Sequence, residues 1–389
     1  MTAHVYGLSA SARESTSAAA RIANEIALPN STEVDSAGRF PVESMTALGA
    51  AGLYGLCLPK SVGGKGEGMR AFAGVVEELA AACGSTAMVY VMHVSAAQAI
   101  ASSDTLADRD SILKEIATGR HLTTLAFSES GSRSQFWAPV SKLEESNGHF
   151  VTSASKSWVT AAGHADSYVS TAQKPNALSP LESTVYLVRS KAPGVVVTSA
   201  FNGLGLRGNE SAPVSLDKIT VSQGDLICVP GDGPSVILQV VLPWFAVGSA
   251  AMANGLCRAA LQRTTDHLVG TGFTHDGSTL RDLPILRARL AQMSVRTESS
   301  RSLLGYTLDH LEQPDESTPL LVLQSRLAAL EAAVEVTDLA MKACGGAAFS
   351  RHLGIERLFR DARAGWVMAP TVDHLNDFIG KALTGLPLF

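Results

Sequence analysis

The five cysteines of this chain, Cys57, Cys83, Cys228, Cys257 and Cys344, form no Cys-x-x-Cys pair and no cluster with histidine at ligand spacing. A disulfide framework and a structural zinc site are therefore excluded, and no metal is expected. The cysteines read as reduced core residues of a cytoplasmic protein. The chain also lacks an excess of positive charge: 31 Lys and Arg against 36 Asp and Glu give a net charge of −5, so neither nucleic acid nor an anionic membrane is an expected partner. Residues 1–10 lack a basic stretch followed by an apolar one, so no secretory signal is expected. The longest apolar run, residues 236–256, is broken by Gln239, Pro243, Ser249 and Asn254, and predicts a buried helix in place of a membrane span.

What is present is apolar bulk, 46% of 389 residues, enough for a large core without covalent staples. Up to about residue 120 the apolar residues recur at three and four, as in 70–83 and 86–102, and predict helices. From 121 to about 230 the texture becomes short Val-, Thr- and Ser-rich runs between Gly, Asn and Pro: 149–160, 167–172, 183–190, 194–200 and 214–221 predict strands. Helical patterns return at 243–268, 283–311, 319–344 and 370–383, with Pro319 marking a helix start. The expected organisation is a helical domain over 1–120, a β domain over 121–230 and a helical bundle over 231–389. The segment from Gly203 to Gly208 satisfies Gly-x-Gly-x-x-Gly, but strand-like sequence follows it where a dinucleotide fingerprint needs a helix.

Six segments in order resemble the acyl-CoA dehydrogenases. Residues 58–67, LPKSVGGKGE, are similar to that family's N-terminal glycine-rich loop, and 125–135, LAFSESGSRSQ, stand at its flavin-contacting segment. Residues 156–167, KSWVTAAGHADS, match its Lys-x-Trp-Ile-Thr-Asn pattern best. Residues 203–222 resemble its Gly-x-Arg-x-Ser strand pair, 344–350 its Gly-Gly turn and 356–365 its Arg-Asp-Ala segment. The resemblance implies an α+β, mainly α fold: an N-terminal helical domain, a middle β-barrel-like domain and a C-terminal four-helix bundle. It further implies FAD as cofactor and a homodimer or homotetramer. Carried over by position, Trp158 packs on the flavin ring, Thr160 bonds near its reactive edge, Phe127 and Ser128 face its pyrimidine edge, and Ser134 faces the pyrophosphate. Gly345 and Gly346 approach the cofactor of a neighbouring subunit, and Thr371 joins the cofactor set. Taken alone, Trp158 is a strand core residue.

The sequence departs from the family where the chemistry resides. Members remove the α-proton of an acyl thioester with a glutamate in a Tyr-Glu-Gly-Thr turn, but here the turn is Met368-Ala369-Pro370-Thr371. A second position used by some relatives corresponds to Val241. Phe273 replaces the arginine that clamps the pyrophosphate, a loss of roughly 1.5–3 kcal/mol for a charge-assisted bond. Pro284 and Lys342 replace two glutamines, and Lys342 and Arg133 are the candidates for replacement charge, against a plain reading as solvated surface cations. Candidate acids and bases are Asp373, His374, His93 and Glu129, although a histidine on an apolar helix is ordinarily a core residue and Asp373 is placed to cap a helix.

The expected activity is that of a FAD-dependent oxidoreductase acting on an acyl-CoA or related small thioester, with O2 as a further reactant because both base positions are empty, as in monooxygenase and oxidase relatives. The alternatives are a dehydrogenase with a relocated base and a base-lacking subunit of a mixed assembly.

Overall fold

A computed structural model describes residues 4–388. The N-terminal part is helical: α1 (Ala10–Ile22), capped by the Ser9 hydroxyl accepting from the Ala12 N–H, continues through a π-helical turn at Ala23–Ala27 into α2 (Leu28–Ala37). After α3 (Val42–Ala50) come the two apolar runs read from sequence, α4 (Met69–Ala82) and α5 (Gly84–Ala101), and then α6 (Arg109–Ala117). Helix α5 is buried on nearly every side because α4, α6 and the β domain all pack on it.

The middle segment contains β1 (Thr123–Ala126), β2 (Glu144–Ser146), β3 (His149–Val159), β4 (Ser167–Gln173), β5 (Ser183–Arg189), β6 (Val195–Val197) and β7 (Ala212–Val221). They form two sheets, β1-β4-β5 and β2-β3-β7-β6, joined by isolated bridges such as Glu129 with Lys156, so the barrel-like form is two facing sheets. Strands β1 and β2 escape sequence reading for physical reasons. The four residues of β1 are buried on both faces and show no alternation, while β2 is a short polar edge closed by the Asn147-Gly148 turn, both residues at positive φ.

The C-terminal helices are α7 (Leu242–Gly270), entered through a π-helical turn at Ser235–Val241, α8 (Pro284–Glu312), α9 (Thr318–Cys344), the short α10 (Gly346–Phe349), α11 (Ile355–Ala362), α12 (Ala364–Val367) and α13 (Val372–Thr384). The four long ones coincide with the four periodic runs, and α7, α8 and α13 all pack on α9. Pro319 occupies the second helical position, since Thr318 already belongs to the helix. By length and composition Ser235–Gly270 is apolar enough to cross a membrane, but its Ala246–Leu256 stretch lies buried, with α4 and α9 the principal partners of α7.

One buried polar network joins the first and last parts. The Glu77 carboxylate on α4 accepts from the Tyr6 hydroxyl, from Arg258 on α7 at 2.8 Å and from Arg301 on α8 at 3.1 Å. Asn254 on α7 donates to the Tyr6 oxygen at 3.1 Å and accepts from Ser300 on α8 at 2.5 Å. Each buried charge in this cluster has an opposite charge, the condition under which burial is tolerated.

Candidate active site

A cavity of about 960 Å³ opens between the β domain, α5, the start of α7, residues 201–206 and the α11–α12 region. Its walls are mainly apolar, including Met88, Met92, Phe136, Phe201 and Phe245. Six of the cofactor residues assigned from sequence lie on it, Phe127, Ser128, Arg133, Ser134, Trp158 and Thr160, and so does the acid or base candidate Glu129. Val241 and Ala369, the two empty base positions, lie on the same cavity.

Trp158 is the most informative of these. Lys156 and Trp158, two apart on β3, should share a face, and Lys156 is fully buried. Yet Trp158 is 69% exposed, because the register with β7 slips between Lys156 and Val159 and Trp158 takes a φ of 58°. This bulge turns the indole out of the core and into the cavity, which overturns the reading of Trp158 as a strand core residue. Its ring stands edge-on to Phe201 at 6.5 Å. Nearby, the Thr160 and Ser211 hydroxyls are 3.1 Å apart, and the Ser128 carbonyl accepts from the Ser157 N–H at 2.9 Å. An exposed aromatic slab, hydroxyl groups beside it and Arg133 at the edge suit a flat, polar-edged and anionic cofactor such as FAD.

The Gly-x-Gly-x-x-Gly segment has a packing explanation. A Cβ on Gly205 would come within 2.4 Å of the Arg360 carbonyl, so glycine is needed for this loop to lie on α11. The loop is held there by the buried Asp361 carboxylate, which accepts from the Leu206 N–H at 2.6 Å, and by Arg360 donating to the Leu204 carbonyl at 3.1 Å. Burial pushes the Asp361 carboxyl up to about 6. No α-helix follows the loop; a three-residue 3-10 turn, Arg207–Asn209, leads into β7.

The acid and base candidates fare differently. Glu129 is the one carboxylate among the described residues lining the cavity, and it is fully engaged: it accepts from Lys156 Nζ at 2.7 Å, from the Val140 and Ser141 N–H groups at 2.7 and 2.8 Å, and from the Ser141 hydroxyl at 2.5 Å. Burial alone would raise its pKa, but Lys156 and Ser141 outweigh burial and hold it below the usual carboxylate range. A carboxylate so held is a structural anion and not a free base. His93 is a core histidine: its Nδ1 accepts from the Thr123 N–H at 3.2 Å, which leaves the proton on Nε2, 3.3 Å from the Tyr54 carbonyl. Burial lowers its pKa to about 4.

The remaining candidates lie off the cavity. The His374 ring stands between Trp137 and Phe378, its Nδ1 without a hydrogen-bond partner among the described residues. Asp373 is exposed in the first turn of α13, and the cap of that helix is Thr371, whose hydroxyl accepts from the His374 N–H at 3.3 Å. Lys342, Gly345 and Gly346 are exposed at the end of α9, away from this cavity, and Phe273 sits in the α7–α8 loop against His275. Sequence reasoning matched 356–365 as a segment without assigning its Arg360 and Arg363 to the site, and it missed Phe201 and Phe245 on the cavity wall, neither of which carries a local signal. It also missed Arg326, which did carry one: a charge at a core position of the apolar stripe Val322, Leu323, Ala329, Leu330 of α9.

Two tests follow from these placements. Replacing Glu129 by Gln should destabilise the protein by about 3–5 kcal/mol in chemical denaturation, since it strands a buried ammonium. Activity loss with unchanged stability would mark Glu129 as a base. For His93, the unfolded imidazole titrates near 6.5 and the folded one near 4, so the unfolded state binds the proton first. Stability should therefore fall by about 3 kcal/mol between pH 6.5 and pH 4 on this account, and a His93→Gln variant should lack that component in denaturation curves across the range.

Comparison with known proteins bears on the family and the fold. Three family models match in chain order: the acyl-CoA dehydrogenase N-terminal domain over residues 9–120, the middle domain over 124–219 and the C-terminal domain over 231–383. The probable acyl-CoA dehydrogenase YngJ of Bacillus subtilis is 27% identical over 344 residues, covering 86% of this chain and 88% of that protein. The human mitochondrial short-chain specific acyl-CoA dehydrogenase is 26% identical over 338 residues, covering 86% of this chain and 81% of that protein. Among solved structures, a glutaryl-coenzyme A dehydrogenase in complex with glutaryl-CoA superimposes with a TM-score of 0.91 at 22% identity, covering 98% of this chain and 97% of that one. The prolyl acyl carrier protein oxidase AnaB gives 0.87 at 17% identity, covering 97% and 99%. At such identities the solved structures bear on the fold alone. With its three family domains in order across residues 9–383, the chain belongs to the acyl-CoA dehydrogenase family of FAD-dependent oxidoreductases.

Proposed function

We propose that this protein is an oxygen-using flavoenzyme, a monooxygenase or oxidase acting on an acyl-CoA or related thioester, with no side-chain base at either position its family uses. One observation carries this reading. Val241 and Ala369 both face the cavity, while Glu129, the one carboxylate among its described lining residues, is held by Lys156 and Ser141. Desaturation of an ordinary acyl thioester needs a group to receive the α-proton, and alanine and valine have none to offer.

FAD, when bound, supplies two-electron redox chemistry and, once reduced, a route for electrons to oxygen. The chain's own part is to hold and to exclude. Trp158 offers a slab for the ring system; Ser128, Thr160 and Ser211 offer polar groups at its edge; Ser134 and Arg133 stand ready for phosphate. Met88, Met92, Phe136 and Phe245 keep water from the reacting face, which strengthens every polar contact made inside.

The second reading is dehydrogenation of a thioester whose α-proton is already acidic, favoured by the relatives at 26–27% identity that are named acyl-CoA dehydrogenases. The two separate under labelled oxygen: turnover with 18O2 should give labelled product or hydrogen peroxide equal to substrate consumed. Anaerobic turnover with an artificial electron acceptor at the aerobic rate sinks the oxygen reading.

We also read the protein as a cytoplasmic homodimer or homotetramer. Support comes from five free cysteines, which suit a reducing compartment, and from the exposed Gly345-Gly346 turn beside Phe349, which is 83% exposed. Light scattering on the purified protein should give two or four times 40.6 kDa, and a monomer mass rejects this assembly.

A further inference from the structure

Arg326 is the largest fully buried side chain among the described residues, at 0% exposure. Its Nε donates to the Ser249 hydroxyl at 2.9 Å, and its two terminal nitrogens donate to the Pro370 carbonyl at 2.6 Å and the Met368 carbonyl at 3.1 Å. The guanidinium lies 5.0 Å over the Phe245 ring. All of these partners are neutral. A guanidinium has five N–H donors, and three are used here. Burial lowers its pKa to about 9, with no neighbouring carboxylate to oppose the shift. Two arginines of the cavity wall are treated otherwise: Arg360 is paired with Asp35 at 2.6 Å and Arg363 with Asp338.

The location gives this imbalance a meaning. Two of the four residues that hold or cover the guanidinium, Phe245 and Met368, are themselves cavity wall, and the two carbonyls it grips flank Ala369. The 13-residue helix α13 begins two residues later, with Asp373 exposed in its first turn. At Ala369, then, the cavity has a methyl group between two carbonyls that hold a buried cation, and no carboxylate among the described residues pairs with that cation. A buried charge without a counter-ion is costly, and an anion in the cavity removes that cost.

We propose that Arg326 is a specificity-determining residue which makes this end of the cavity select an acyl thioester carrying a second, free carboxylate, placed in the room left by the Ala369 side chain. The inference rests on the acyl-thioester reading and does not depend on whether oxygen is used. Arg326 acts from behind the wall, through its charge and through the turn it holds, while the CoA portion is common to charged and uncharged acyl groups and cancels in comparison.

The test uses the FAD-loaded protein under anaerobic conditions, titrated with chain-matched pairs: succinyl-CoA against butyryl-CoA, and glutaryl-CoA against valeryl-CoA. Binding is read from the flavin spectrum. In at least one pair the dicarboxylic member should bind tenfold or more tightly. Ala369→Asp, which gives Arg326 a carboxylate within the protein, should bring that ratio to about one, and Ala369→Asn, its uncharged counterpart, should keep the preference. Equal binding within both pairs, or a preference that persists in Ala369→Asp, overturns the inference while leaving the thioester reading intact. Absence of any spectral response to all four compounds overturns both.

Discussion

The ion pair between Lys156 and Glu129 is the contact on which the site depends. Lys156 projects from β3 in one sheet, and its ammonium reaches both Glu129 and, at 2.7 Å, the Thr171 carbonyl of β4 in the other. Glu129 in turn gathers the N–H groups of Val140 and Ser141, closing residues 130–139 into a loop whose Arg133, Ser134 and Phe136 line the cavity. One buried pair thus sets the spacing of two sheets and the shape of one cavity wall. Such a pair adds little net stability compared with apolar packing. Its contribution is position, because each of its partners has a single geometry that satisfies it.

Beside that pair the backbone is strained in a restricted region. Arg133, Trp158 and Leu206, all on the cavity, have φ values of 53°, 58° and 50°, a left-handed conformation that costs a non-glycine residue roughly 1–3 kcal/mol. Each is held from outside: Trp158 by the β3–β7 bulge, Leu206 by Asp361, Arg133 by the loop that Glu129 closes. The strain aims side chains at the cavity that regular geometry would aim elsewhere.

These facts explain what could be read from the sequence. Helices α4, α5, α7, α8, α9 and α13 announce themselves because each is a helix-forming run of at least three turns between breakers, and five of the seven strands do so through β-branched texture. Family order supplied Phe127, Ser128, Ser134 and Thr160. Trp158 is the instructive case: its period with Lys156 points to the core, and only the bulge, a tertiary event, points it to the cavity. Glu129 looked available because sequence records a carboxylate but not the four donors around it. Arg326 was legible as a charge within an apolar stripe, and what gives it importance, the carbonyls on either side of Ala369, lies more than forty residues away.

The grip of α11 on the 203–206 loop has a mechanical consequence. Through Asp361 and Arg360 that helix holds the loop at Leu206 and Leu204, and through the Arg360 pair with Asp35 it also holds α2. The loop and α2 are thus tied to one helix through adjacent residues. A displacement of α11 would therefore carry Leu204 and Leu206 with it, and both of these line the cavity.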